Sequence, residues 1–164
     1  MYYNDYSMES PAKRAGAIAL IKKLQSAGVP IAAVGMQGHY IMNWPSRQQV
    51  GQAIDEFSQL DIKVMITELD VDVLQPSAGA GPNPYIYGLP DSVQQALAVR
   101  YADLFNEFLQ HRGQITRVTF WGVTDADSWL NYFPISGRVN YPLLFDRQCR
   151  PKAAFDAVVS VARR

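Results

Sequence analysis

An α/β fold of about four βα units, half the complement of a (β/α)8 barrel, is what this 164-residue sequence predicts. Three observations predict it. Apolar strand-like runs alternate with amphipathic helix-like runs. The middle strand-like runs are apolar without strict alternation, as in a parallel sheet covered by helices. Polar residues suited to chemistry follow at the carboxyl ends of these runs: Asn4 and Asp5, Gln37 and His39, Glu68 and Asp70, Trp121 and Asp125. Barrel enzymes place their working groups there. A closed barrel needs eight units and typically about 250 residues, so four units leave it half built.

Each element has its own signal. Met1 to Tyr6 reads as a strand already in progress, so the natural beginning is expected to lie upstream. Ser10 caps the first helix with Pro11 at its first position, and Gly28 stops it after about Ala27. Ile31 to Met36 is the second strand. Ser46 opens a helix whose Val50, Ala53, Ile54, Phe57 and Leu60 form one apolar face. Val64 to Leu69 is the third strand. After a long loop, Asp91 or Ser92 caps a helix carrying Val93, Leu97, Tyr101, Leu104, Phe105 and Phe108, which Gly113 ends. Ile115 to Trp121 is the fourth strand, and a last helix starts at Pro151.

Composition narrows the partner. Fifteen Lys plus Arg balance fifteen Asp plus Glu without long runs of either sign, which argues against nucleic acid or an anionic membrane. Nine Tyr, seven Phe and three Trp suit a neutral ligand such as a sugar, whose apolar ring faces pack on aromatic faces; a well-filled core accounts for them equally. Cys149 is the single cysteine, so no internal disulfide forms. No apolar run approaches the roughly 20 residues of a membrane span. Gly79 and Gly81 precede no helix, which removes a phosphate-binding loop and with it nucleotide binding.

The sharpest chemical signal is Glu68, which ends the apolar run from Val64. A buried acid is costly without a partner, so chemistry is expected of it. Glu9, Glu56 and Glu107 fall at or within helix-like segments and read as solvated charges, and His111 reads as a helix C-terminal residue favoured by the helix dipole. Asp70 shares the strand face of Glu68 by its spacing of two. Trp44 is open between packing and a binding role.

Four motifs carry a family resemblance: Val34-Gly35-Met36-Gln37-Gly38-His39, Ile66-Thr67-Glu68-Leu69-Asp70, Phe120 through Leu130, and Pro142-Leu143-Leu144-Phe145-Asp146. In order and spacing they resemble the glycoside hydrolase family 10 endo-β-1,4-xylanases. The resemblance runs from Tyr3 nearly to the C-terminus and covers the fifth to eighth βα units of that family's barrel, making residues 1–164 a partial catalytic domain. It implies a retaining hydrolase of β-1,4-linked xylose polymers, secreted or periplasmic, with no cofactor or metal.

Carried over residue by residue, the resemblance makes Glu68 the nucleophile that forms a glycosyl-enzyme intermediate. His39 hydrogen-bonds to Glu68, and Asp70 holds His39. Trp121 and Trp129 resemble the tryptophans that pack on xylose rings. Gln37 becomes a polar contact near the reacting sugar, and Asn4 a supporting or floor residue. Tyr85 and Tyr87, in the Pro- and Gly-rich loop 75–90, either line the leaving-group side or pack within the loop. The family's proton-donating Glu belongs to the fourth strand and has no counterpart here; retention needs that second carboxyl about 5 to 5.5 Å from the nucleophile. The chain alone is therefore expected to be inactive, and open sheet edges predict either a missing N-terminal half-barrel as partner or self-association. Rival readings are a related β-1,4-glycanase and an incomplete chain that only binds polysaccharide.

Overall fold

The computed structural model describes residues 1–74 and 83–163. Gly79 and Gly81 and the first part of the 75–90 loop lie outside the described residues. The chain divides into two compact units, the first built from Met1–His39, Pro45–Leu69 and Glu107–Thr119, the second from Tyr40–Trp44, Asp70–Asn106 and Phe120–Arg164.

Parallel strands organise the first unit. β1 (Tyr2–Asp5) pairs with β2 (Ala33–Met36), Asn4 opposite Gly35, and β2 pairs with β4 (Lys63–Asp72), Gly35 opposite Met65. β5 (Ile115–Phe120) also pairs with β4. Val34, Met36, Val64 and Ile66 are fully buried, whereas no residue of β1 or β5 is. That contrast follows from position, because among the described residues β1 and β5 each pair with a single strand.

The helices form largely where their sequences predict them. α1 (Pro11–Ser26) begins with Pro11, and Gly28 (φ 78°) provides the left-handed conformation that ends it. Ser10 occupies the cap position but its side chain makes no capping bond. α2 (Arg47–Ser58) starts in a full capping box: Ser46 Oγ accepts from Gln49 N, and Gln49 Oε1 accepts from Ser46 N. Its Val50, Ala53, Ile54 and Phe57 are fully buried; Leu60 falls in the turn beyond.

Two helix starts differ from expectation. The carbonyl of Pro90 accepts from Val93 N and Gln94 N, so Pro90, rather than Asp91 or Ser92, occupies the cap position of α3 (Asp91–Gln110). Leu97, Tyr101, Leu104 and Phe108 of α3 are buried. α4 (Ala153–Ala162) begins two residues after Pro151, because Pro151 is still bridged to Phe145 and Lys152 N still donates to Leu144 O.

The strand expected to end at Leu69 continues to Asp72, so Glu68 stands inside β4 and not at its end. The cause is an unpredicted strand, β3 (His39–Ile41), which joins the same sheet beside β4. Gly38 makes the turn into it with φ 84°, and a Cβ there would sit 2.9 Å from Ile66 Cγ2. The close approach lets Glu68 N donate to Gln37 O at 2.7 Å, continuing the ladder past Ile66.

The reading of the other glutamates as solvated is also corrected. Glu9 and Glu107 are buried and Glu56 is half-buried. Helix packing explains this, since the buried Arg14 of α1 requires a counterion and forks onto Glu56 of α2, with Nε 2.7 Å and Nη2 3.1 Å from its oxygens. Arg47 Nε donates to Glu107 at 2.6 Å, and His111 bridges the same helices through Asp55 (3.1 Å) and the Glu107 carbonyl (2.9 Å).

Candidate active site

Within the first unit, two strands deliver side chains to the carboxylate of Glu68 on β4. His39 Nε2 lies 3.1 Å from Oε2, and Asn4 Nδ2 donates to Oε1 at 3.0 Å. Each carboxylate oxygen thus has its own nitrogen partner. The amide of Glu68 is pinned to Gln37 O, so backbone and side chain are both held. Glu68 keeps 15% of its side-chain surface open and His39 20%, enough for a ligand to approach. Asn4, expected as a supporting or floor residue that binds substrate, donates directly to the Glu68 carboxylate.

Asn4 is held in turn. Thr67 Oγ1 donates to Asn4 Oδ1 at 2.7 Å, leaving the amide nitrogen turned to Glu68. Sequence reading missed Thr67 because neighbours on a strand point to opposite faces, so the residue beside the candidate nucleophile is expected to face away from it.

The second unit holds the remaining candidates. Asp70 is buried on β4 and accepts from Trp129 Nε1 at 2.7 Å. Trp129 opens a short 3-10 turn, Trp129–Asn131, capped by Ser128 Oγ, and stacks on Phe133 with centroids 5.3 Å apart. A Trp held by its N–H and packed on one side presents a fixed apolar face. Trp121 lies just past β5 and is 47% exposed. Tyr87 is fully exposed, while Tyr85 is half-buried and its carbonyl accepts from Tyr141 OH at 2.8 Å.

Polar braces shape this unit's loops. Asp125 is completely buried; its Oδ2 receives Lys152 Nζ at 2.9 Å and its Oδ1 the Leu143 amide at 2.9 Å. Lys152 Nζ also donates to the carbonyls of Tyr141 and Leu143, both at 2.8 Å. Burial pushes the Asp125 carboxyl up against the pull of Lys152, and burial pushes the Lys152 ammonium down. Asp72, also raised by burial, accepts from Asn140 Nδ2 at 2.7 Å and Leu74 N at 2.7 Å. Nothing in the sequence marked Lys152, since a Lys before a helix ordinarily reads as a surface charge.

Asp5 and Asp127, which the sequence places at strand ends, are committed to other partners. Asp5 accepts from Tyr3 OH at 2.7 Å and pairs with Lys13 at 2.7 Å, which holds its carboxyl low against the opposing effect of burial. Asp127 accepts from Thr124 Oγ1. Among the described residues no group of three His, Cys, Asp or Glu could hold a metal ion, and no helix is long and apolar enough to cross a membrane.

Comparison with known proteins shows the family of the chain. The profile of glycosyl hydrolase family 10 matches residues 1–161. A β-1,4-xylanase of Dictyoglomus thermophilum is 38% identical over 97% of this chain and 44% of its own length, and an endo-1,4-β-xylanase of Geobacillus stearothermophilus is 37% identical over 98% and 48%. A family 10 endoxylanase from a sugarcane soil metagenome superposes with TM-score 0.94 at 44% identity, over 98% of this chain and 48% of that one. The Thermobacillus composti family 10 xylanase gives 0.92 at 41%, over 98% and 52%. The chain spans about half the length of the relatives it matches. Its α/β architecture is the C-terminal half of a (β/α)8 barrel, and the chain belongs to glycosyl hydrolase family 10.

Proposed function

We propose that residues 1–164 are the fifth to eighth βα units of an endo-1,4-β-xylanase, and that Glu68 is the nucleophile of a retaining mechanism. The observation that carries this reading is the pair of nitrogen donors, Asn4 Nδ2 and His39 Nε2, one on each oxygen of Glu68. Donors aimed at a carboxylate favour its ionised form, which is the form that attacks. Attack by a Glu68 oxygen on the anomeric carbon forms the glycosyl-enzyme ester while the bond to the leaving oxygen breaks. A proton from the acid Glu of the first four units goes to that oxygen, and water later cleaves the ester with inversion a second time.

The other residues divide the labour. His39 orients Glu68, with Asp70 supporting His39 in the relay the family resemblance implies. Trp121 and Trp129 supply apolar faces for xylose rings, Gln37 a polar contact near the reacting sugar, and Tyr85 and Tyr87 a boundary on the leaving-group side. The substrate is xylan or xylo-oligosaccharide, in keeping with the names of the xylanase relatives, and the family resemblance implies a secreted or periplasmic setting. Without the acid Glu the isolated chain is inactive, since general acid catalysis is worth about 10²- to 10⁴-fold.

The test uses a protein in which four preceding βα units accompany residues 1–164. Glu68→Gln, which keeps shape and hydrogen bonding, is expected to abolish xylan hydrolysis while leaving xylo-oligosaccharide binding nearly unchanged. Retained hydrolysis would remove Glu68 from the chemistry.

A further inference from the structure

Asn4 and Glu68 stand on strands that do not pair with each other. Asn4 belongs to β1 and Glu68 to β4, and β2 lies between them. The Asn4 side chain nevertheless bonds both Thr67 and Glu68, so it crosses over β2. At the crossing point, directly opposite Asn4 in the β1–β2 register, stands Gly35. A Cβ on Gly35 would collide with Asn4 Oδ1 and lie 2.9 Å from Thr67 Cγ2. Gly35 has no left-handed φ, so glycine is needed there for space and not for backbone conformation.

Thr67 completes the arrangement. An Asn amide has a donor end and an acceptor end, and only the donor end suits an ionised carboxylate. The Thr67 hydroxyl donates to Asn4 Oδ1 at 2.7 Å; its other acceptor, the Met36 carbonyl, is at 3.4 Å. The shorter bond claims the proton and holds the acceptor end away from Glu68. Reversal of the amide would put its oxygen against Oε1, a contact tolerable only when Glu68 is protonated.

We infer that Gly35 and Thr67 are positioning residues for Glu68: Gly35 opens the passage across β2, and Thr67 fixes the direction of the Asn4 amide that reaches through it. The significance of this for catalysis rests on the reading of Glu68 as nucleophile; the arrangement itself does not. His39, 3.1 Å from Oε2, holds the other oxygen of Glu68.

The test follows the side-chain amide of Asn4 by nitrogen NMR in this chain, with Asn4→Asp identifying its signal and Glu68→Gln, which alters the partner of Nδ2, expected to move it. Thr67→Val keeps the shape and removes the donor. It is expected to move the Asn4 amide signal and to abolish its response to Glu68→Gln, with Thr67→Ser restoring both. Thr67→Ala, smaller and less crowded, must give the same change, and serves if Thr67→Val does not fold. An Asn4 amide signal and a Glu68→Gln response both unchanged in the folded donor-less variant would overturn the inference. If the change occurs but Glu68→Gln in the completed protein still hydrolyses xylan, the positioning stands and the nucleophile reading falls.

Discussion

Lys152→Met is the most informative change outside the Glu68 cluster, because Lys152 holds together three segments of the second unit. Its ammonium bonds the Asp125 carboxylate and the carbonyls of Tyr141 and Leu143, with side-chain exposures of 6% for Lys152 and none for Asp125. Met fills much the same volume, so the loss is electrical: a buried carboxylate without its cation. Breaking such a pair costs about 3 to 5 kcal/mol. The pH dependence carries a sign. Burial already raises Asp125, and removing Lys152 raises it further, placing its folded value above the roughly 3.9 of an unfolded Asp. A group so raised contributes stability below its unfolded value and loses it as pH climbs through the folded value. Urea unfolding followed by circular dichroism is therefore expected to show the full loss at pH 7.5 and about 1 kcal/mol or more of recovery at pH 4.5. Adding Asp125→Asn to Lys152→Met is expected to remove the pH dependence. A loss under about 1 kcal/mol, or one equal at both pH values, would refute the buried ion pair.

Three further outcomes are expected. Gly51→Ala in α2 would place a Cβ against Glu107 Oε1 and push that carboxylate off Arg47; overpacking of about 1 to 3 kcal/mol exceeds the helix gain of about 1 kcal/mol, so thermal melting should show a lower midpoint. His39→Ala in the completed barrel should lower kcat and kcat/KM together with little change in melting; full kcat with a melting loss of several degrees would make His39 a packing residue. The 164-residue chain, with β1 and β5 each paired to one strand among the described residues, should self-associate, and a stable folded monomer in sedimentation would exclude this.

Periodicity exposed the elements because burial follows it: the apolar face of α2 and the apolar runs of β2 and β4 are buried as their patterns require. Long-range polar contacts left no such trace. The partners of Asn4 could not be read because they lie 63 and 64 positions away, and the space at Gly35 beside it is visible only in three dimensions. β3 was hidden for a different reason, since three residues after a positive-φ Gly give too short a pattern to read. The glutamates of the helices misled because charge on a helix usually faces water, whereas Glu56 and Glu107 answer arginines of neighbouring segments. Glu68 stood out as a candidate because an acid after an apolar strand run has few structural reasons to be there, and its two nitrogen partners could not be read from the sequence.

Mass spectrometry of the completed protein treated with a 2-fluoro-xylobioside inactivator tests the proposed chemistry most directly. The fluorine slows both steps, and a good leaving group lets the first outrun the second, so the glycosyl-enzyme ester accumulates. The adduct is expected on the peptide containing Glu68 and absent from Glu68→Gln. An adduct on Asp70 or Asp125, or none despite inactivation, would contradict the assignment of Glu68 as nucleophile.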